Sequence, residues 1–187
     1  MASSIPPTKS ASSWTPIQAE PPTQEQVVWQ SLHHAVRTGS VVDGALQDLY
    51  AQIDEAIKQR GPTCWASGRC CNFNTFGHRL YVTGLEISWF LGQVDRTAIE
   101  GQNRTQNLSI DPNTTCPFQI HGLCSVHAIR PLGCRIFFCQ QGTSDWQRQL
   151  YERFLGTLRT LHNRHALPYR YLEWRTGLNQ ALQYGYE

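Results

Sequence analysis

Apolar positions recur at helical spacing through most of the chain. From Glu25 to Arg37, Val28, Leu32 and Ala35 fall on one side of a predicted helix, which Gly39 ends. A second helix carries Leu46, Leu49, Ile53, Ala56 and Ile57. Asp43 is its candidate cap and Gly61-Pro62 its stop. Arg79-Leu-Tyr-Val82 reads as extended, and Thr83 with Glu86 forms a capping-box pattern opening a short helix through Ile87, Phe90 and Leu91. Residues 92–115 mix Gly, Asn, Thr and Asp and read mostly as loop. Ser144 with Gln147 is a second capping-box pattern. It precedes an apolar stripe of Leu150, Tyr151, Phe154, Leu155, Leu158 and Leu161. Pro168 separates a last predicted helix with Tyr171, Trp174, Leu178 and Leu182. No internal repeat is visible. The expected fold is mainly α, a compact helical domain with cysteine-rich metal-binding loops.

The first 24 residues are rich in Ser, Thr and Pro and lack apolar periodicity, which predicts a disordered arm over 1–24 ahead of one helical domain over 25–187. With 187 residues and 40% apolar composition, a sizeable core is possible without covalent staples. The net charge of +2 argues against a broad polyanion-binding surface and so against a nucleic-acid partner. No apolar run is long enough to span a bilayer, which argues against a membrane partner. The opening residues contain no apolar signal segment, so a cytoplasmic, reducing location is expected. In that setting the sequons at Asn103, Asn107 and Asn113 read as chance.

Seven cysteines occur in two groups: Cys64, Cys70 and Cys71, then Cys116, Cys124, Cys134 and Cys139. Reduced, clumped thiols suggest a metal, because thiolate sulfur selects zinc, cuprous copper or iron–sulfur clusters. Short loops and nearby glycines, Gly68, Gly122 and Gly133, lower the cost of bringing several thiolates together. The spacings are not the paired knuckles of a zinc finger. Cys116-Pro117 is similar to the Cys-Pro that can end an iron–sulfur loop. Arg69, Arg130 and Arg135 lie beside the thiols, where guanidinium groups stabilise a negatively charged cluster or else make surface pairs.

Cys64-x2-Ser67-x2-Cys70-Cys71 resembles the CxxCxxCC signature of the small zinc- or iron-chelating domain proteins. The second segment adds Cys116-Pro-Phe, Cys124, Arg130-Pro131 and Cys134-Arg135-Ile-Phe137 in the family's order. The resemblance covers roughly residues 60–140 and implies metal chelation without a common reaction. Ser67 stands where a second Cys is usual, and His127 where a Tyr is expected. Serine is a poor ligand for a soft metal, so the expected ligand set is Cys64, Cys71, Cys124 and Cys134, with Cys70, Cys116 and Cys139 as alternatives.

A [4Fe-4S] cluster is favoured over Zn²⁺, with an electron-transfer or supporting role and a redox or protein partner. The alternatives are a zinc-binding structural or interaction domain and a metal-dependent enzyme of unknown substrate. His78, His121 and His127 are further candidates for ligands or outer partners, whereas His33, His34, His162 and His165 read as packing or surface residues. Trp65, Phe73, Phe76, Phe118, Phe137 and Phe138 would keep water from the site or build the core. Vicinal Cys70-Cys71 are poor mutual disulfide partners, because adjacent residues close a strained ring.

Overall fold

Thr23 opens helix α1 (Gln24–Ala35) with a reciprocal cap: its hydroxyl accepts the Gln26 N–H and the Gln26 side chain accepts the Thr23 N–H. This computed structural model describes residues 21–63, 68–73, 77, 79–94, 110 and 115–184, without the side chain of Arg69. Most of the expected arm, residues 1–20, lies outside the described residues. Ser40, not Asp43, caps α2 (Val41–Arg60), and Gly61 closes it. Asp43 sits one turn in, where it ties the preceding loop to a distant helix. Its Oδ2 accepts the Gly39 N–H at 2.9 Å and its Oδ1 the Trp89 indole N–H at 2.9 Å.

After a single 3-10 turn at Arg69–Cys71, strand β1 (Tyr81–Thr83) runs directly into α3 (Gly84–Gln93). Thr83 and Glu86 form the expected capping box. The short strands β2 (Gln119–Ile120) and β3 (Leu123–Cys124) make a hairpin whose turn, His121-Gly122, has both residues at positive φ, 50° and 78°. That is the twist a two-residue hairpin turn requires. A 3-10 turn at His127–Ile129 then leads into α4 (Leu132–Ile136) and the long α5 (Ser144–Arg164). The cap of α5 is Thr143 rather than Ser144. Gln147 serves the incoming loop instead, accepting the Phe138 N–H and donating to the Phe138 carbonyl, both at 3.0 Å.

Strand β4 (Tyr171–Glu173) enters α6 (Trp174–Tyr184), so Tyr171 is on a strand and not on the last helix as expected. The reason is a long-range pairing. β1 and β4 are antiparallel, with Val82 opposite Leu172 and Thr83 opposite Tyr171. Each strand then accepts the first N–H of the helix that follows the other: Gly84 N–H to Arg170 O at 2.9 Å, and Trp174 N–H to Leu80 O at 2.8 Å. The two strand–helix units are thus related by an approximate twofold that the sequence does not reveal as a repeat.

The core is shared by the helices. Trp29, Leu32, Leu46, Ile53, Leu85, Phe90, Leu158 and Leu178 are all at 0% exposure, and each such side chain stabilises the fold by about 1.5–3 kcal/mol through burial. The mainly helical expectation holds over the described residues, which include six α-helices. None of them is long and apolar enough to cross a membrane. The cysteine loops are there, but among the described residues they build no metal-ligating group, which corrects that part of the expected fold.

Candidate functional site

The two cysteine groups meet because the 3-10 turn of the first docks on the hairpin of the second. Gly68 makes this approach possible. Its φ is +67°, and a Cβ there would lie 2.3 Å from the Gly122 carbonyl oxygen and 2.6 Å from Gln119 Nε2. In the space left free, Gln119 Nε2 donates to the Gly68 carbonyl at 2.9 Å, and the Cys116 N–H donates to the Cys71 carbonyl at 2.9 Å. The hairpin is itself held by Ser125, whose N–H and hydroxyl both donate to the Phe118 carbonyl at 2.9 Å.

These contacts gather Cys70, Cys71, Cys116, Cys124 and Cys134 around a cavity of about 20 Å³. Phe90, Phe118 and Trp174 form its apolar wall, with Phe90 edge-on to both other rings at 4.8 and 4.9 Å. Val126, Arg130 and Pro131 complete the lining. Cys71 is the hub. Its Sγ is 3.8 Å from Cys70 Sγ, and it is also hydrogen-bonded to Cys116 and Cys124. No disulfide joins the six described cysteines.

The thiols differ sharply in acidity. The hydrogen bond from Cys71 is the main cause that brings Cys124 down to about 6 and Cys70 down to about 7, against the opposing effect of burial. The Arg130 charge helps both, and the Val126 N–H also supports the Cys124 thiolate. Cys116 is lowered by Cys71 and by the Phe118 N–H, against burial. Cys71 itself is pushed up by the bonds it donates, and Cys134 is pushed up chiefly by burial. One S–H carries one proton, so Cys71 stabilises one neighbouring thiolate at a time. Arg130 weights the choice toward Cys70 and Cys124.

The arginines divide by role. Arg130 faces the sulfurs electrostatically while its Nε donates to the His127 carbonyl at 3.1 Å. Arg135 is a brace and not a cluster partner. It is 5% exposed, and its Nη1 donates to both Asp54 carboxylate oxygens at 2.9 Å. Its remaining N–H groups donate to the Arg130 and Ala128 carbonyls, and its guanidinium lies 4.5 Å from the Tyr50 ring centroid. Arg69 contributes its backbone to the 3-10 turn. His121 is exposed at the hairpin tip, and His127 is exposed with its pKa lowered by burial and by Arg130 and Arg135. Cys64, Trp65, Phe76 and His78 lie outside the described residues. Phe137 is exposed on another face and Phe138 packs near Trp146, so neither shields the thiols. Phe90 and Trp174 do so instead. Their helical periodicity marked them as core without showing which core they wall.

The metal expectation is corrected. Among the described residues no group of three or more His, Cys, Asp or Glu side chains is disposed to hold a metal ion. The physical reason is how closely the sulfurs pack, Cys70 and Cys71 at 3.8 Å, and how little space they leave between them. A 20 Å³ cavity has room for about one water, far less than an eight-atom iron–sulfur cube. Cys71, Cys124 and Cys134 do come together as expected, but as hydrogen-bonded or buried thiols and not as ligands of a [4Fe-4S] cluster or Zn²⁺. The resemblance to the zinc- or iron-chelating family, and the metal partner it implied, fall with that geometry. Comparison with known protein families, with curated proteins and with solved structures finds no match to this chain.

Proposed function

We propose that the protein is a thiol–disulfide redox protein of the cytoplasm, cycling two cysteines of the cluster between dithiol and disulfide. The supporting observation is that Cys71 lines one small cavity with Cys116, Cys124 and Cys134 of the other cysteine segment. This removes the objection to a vicinal Cys70-Cys71 pair, because the exchange partner comes from across the fold. The backbone bond between Cys116 and Cys71 also fits a bridge.

Cys124 is the attacking group in this reading, being half-buried rather than buried and held as thiolate near neutral pH. Its sulfur attacks a low-molecular-weight disulfide RSSR, forming a mixed disulfide and releasing RS⁻. Cys71 then gives up its proton and attacks the Cys124 sulfur, releasing the second RS group, which leaves with that proton as RSH. The protein loses two electrons, and RSSR gains them. Residues 25–187 would act as one unit, with the arm over 1–24 dispensable.

The test is equilibration of the reduced protein with glutathione buffers poised from about −180 to −300 mV, followed by alkylation and peptide mapping. The expected product is a disulfide from Cys71 to Cys124, absent in Cys124→Ser. A chain that keeps all its thiols across that range would overturn the proposal.

A further inference from the structure

A second cavity lies on the face where β1 and β4 meet α4 and α5. Its volume is about 310 Å³, and Arg79, Tyr81, Phe137, Arg148, Tyr151 and Tyr171 line it. That volume is at the lower end of the range for small-molecule sites. Two guanidiniums and no carboxylate are among its described lining residues, which sets the sign of an occupant. Arg148 does hold Asp145 at 3.0 Å, but both side chains are largely exposed, and such a pair is readily exchanged for a better anion.

The rest of the lining suits a flat ring. Tyr81 and Tyr171 stack with centroids 5.6 Å apart and planes at 23°, and they remain 43% and 38% exposed. Phe137 stands across the cavity, 39% exposed. Between them lies a hydroxyl pair, Tyr151 to Tyr171 at 2.6 Å, with the Tyr81 carbonyl 3.3 Å from the Tyr151 hydroxyl. These two hydroxyls own two protons. The short bond uses one, and the second is held by a long bond or by none, so it is available to a ligand oxygen. Burial raises both phenols and keeps them neutral donors. Gly133 of α4 faces this wall, where a Cβ would meet Leu80 Cδ1 at 2.5 Å and the Tyr81 carbonyl oxygen at 3.6 Å.

The geometry points to a binding site for a small aromatic anion, an aryl ring bearing a phosphate or carboxylate, in the cavity between Arg79, Arg148 and the three tyrosines. The ring lies against the tyrosine or phenylalanine faces, and its anionic oxygens meet the guanidiniums and a tyrosine hydroxyl.

Phenyl phosphate and benzoate, titrated into the ¹⁵N-labelled full chain, test this. Inorganic phosphate and benzyl alcohol serve as controls that carry only the charge or only the ring. The expected result is saturable shifts at the amides of Tyr81, Phe137 and Tyr171 with at least one aryl anion, the tighter one naming the headgroup. Both controls bind about tenfold more weakly or not at all, because each lacks half of the contacts. Arg79→Ala, at an exposed position, weakens the aryl anion about fivefold or more while the spectrum stays folded; Tyr171→Phe weakens it less. Absence of saturable shifts, inorganic phosphate binding as well as phenyl phosphate, or an unchanged affinity in Arg79→Ala would each overturn the assignment.

Discussion

Glu86 accepts the backbone N–H of Leu132 at 2.8 Å, so one buried carboxyl caps α3 and also anchors the first turn of α4. Its other oxygen accepts the Thr83 N–H at 2.8 Å and the Thr83 hydroxyl at 3.0 Å. Through this residue the strand–helix unit fixes the short helix that carries Cys134 and Arg135.

Glu86→Ala leaves the Leu132 and Thr83 N–H groups buried without an acceptor, and we expect a loss of about 3 kcal/mol in urea unfolding. Glu86→Gln keeps one acceptor oxygen and recovers part of it. Burial raises the Glu86 pKa above its ordinary 4.5, against the bonds that lower it. Its titration therefore contributes most below pH 4.5 and less as pH rises through the raised value. The Gln variant should lose that component of the pH profile, and an unchanged profile would refute the assignment.

Gly68→Ala puts a methyl group into the Gly122 carbonyl and the Gln119 amide. The two cysteine segments must separate or the turn must distort, which costs about 1–3 kcal/mol. The informative readout is alkylation: Cys71 and Cys116, buried in the parent, should react faster in the variant while the helical circular dichroism is retained.

Alkylation should also follow the acidities of the cluster. Cys124 is expected to react with a midpoint near pH 6, against about 8.5 for an unperturbed thiol, and Cys70 at a higher pH than Cys124 because the one Cys71 proton is then committed. Arg130→Ala raises both midpoints. Profiles centred on the ordinary thiol value would show that Cys71 and Arg130 do not support thiolates.

Acid should weaken the fold before carboxylate protonation is complete. Burial lowers His33 from 6.5 to about 4, and it lowers His162 as well. The unfolded chain takes up protons below pH 6.5 that the folded chain refuses, so this stability is present above 6.5 and is lost as pH falls toward 4. Urea midpoints measured from pH 7 to pH 4.5 should fall, and His33→Leu should reduce the slope by up to one proton.

Local chemistry made much of this fold legible. The Thr83–Glu86 box and the Gly61 stop are written in neighbouring residues, and the structure uses both. Caps shifted by a residue or more where the polar side chain had a distant obligation, as Asp43 has to Trp89. The β1–β4 pairing was not legible, because the strands are three residues each and lie far apart in the chain. For the site, clumped cysteines announced that sulfurs would gather. Their spacing says nothing about where each Sγ points, and that direction separates a ligand cage from a hydrogen-bonded hub at Cys71. Likewise Arg135 stood beside a thiol in sequence, yet its Nη1 pairs with Asp54 on α2.

The reciprocal bonds between the two strand–helix units bear on how the chain is made. Synthesis runs from the N-terminus, so α1, α2 and α3 leave the ribosome while Gly84 still lacks the Arg170 carbonyl and Leu80 still lacks the Trp174 N–H. Trp174 also supplies one wall of the thiol cavity. The cysteines are therefore made before α6, the helix that completes their enclosure, and until it docks the thiols stand without that wall.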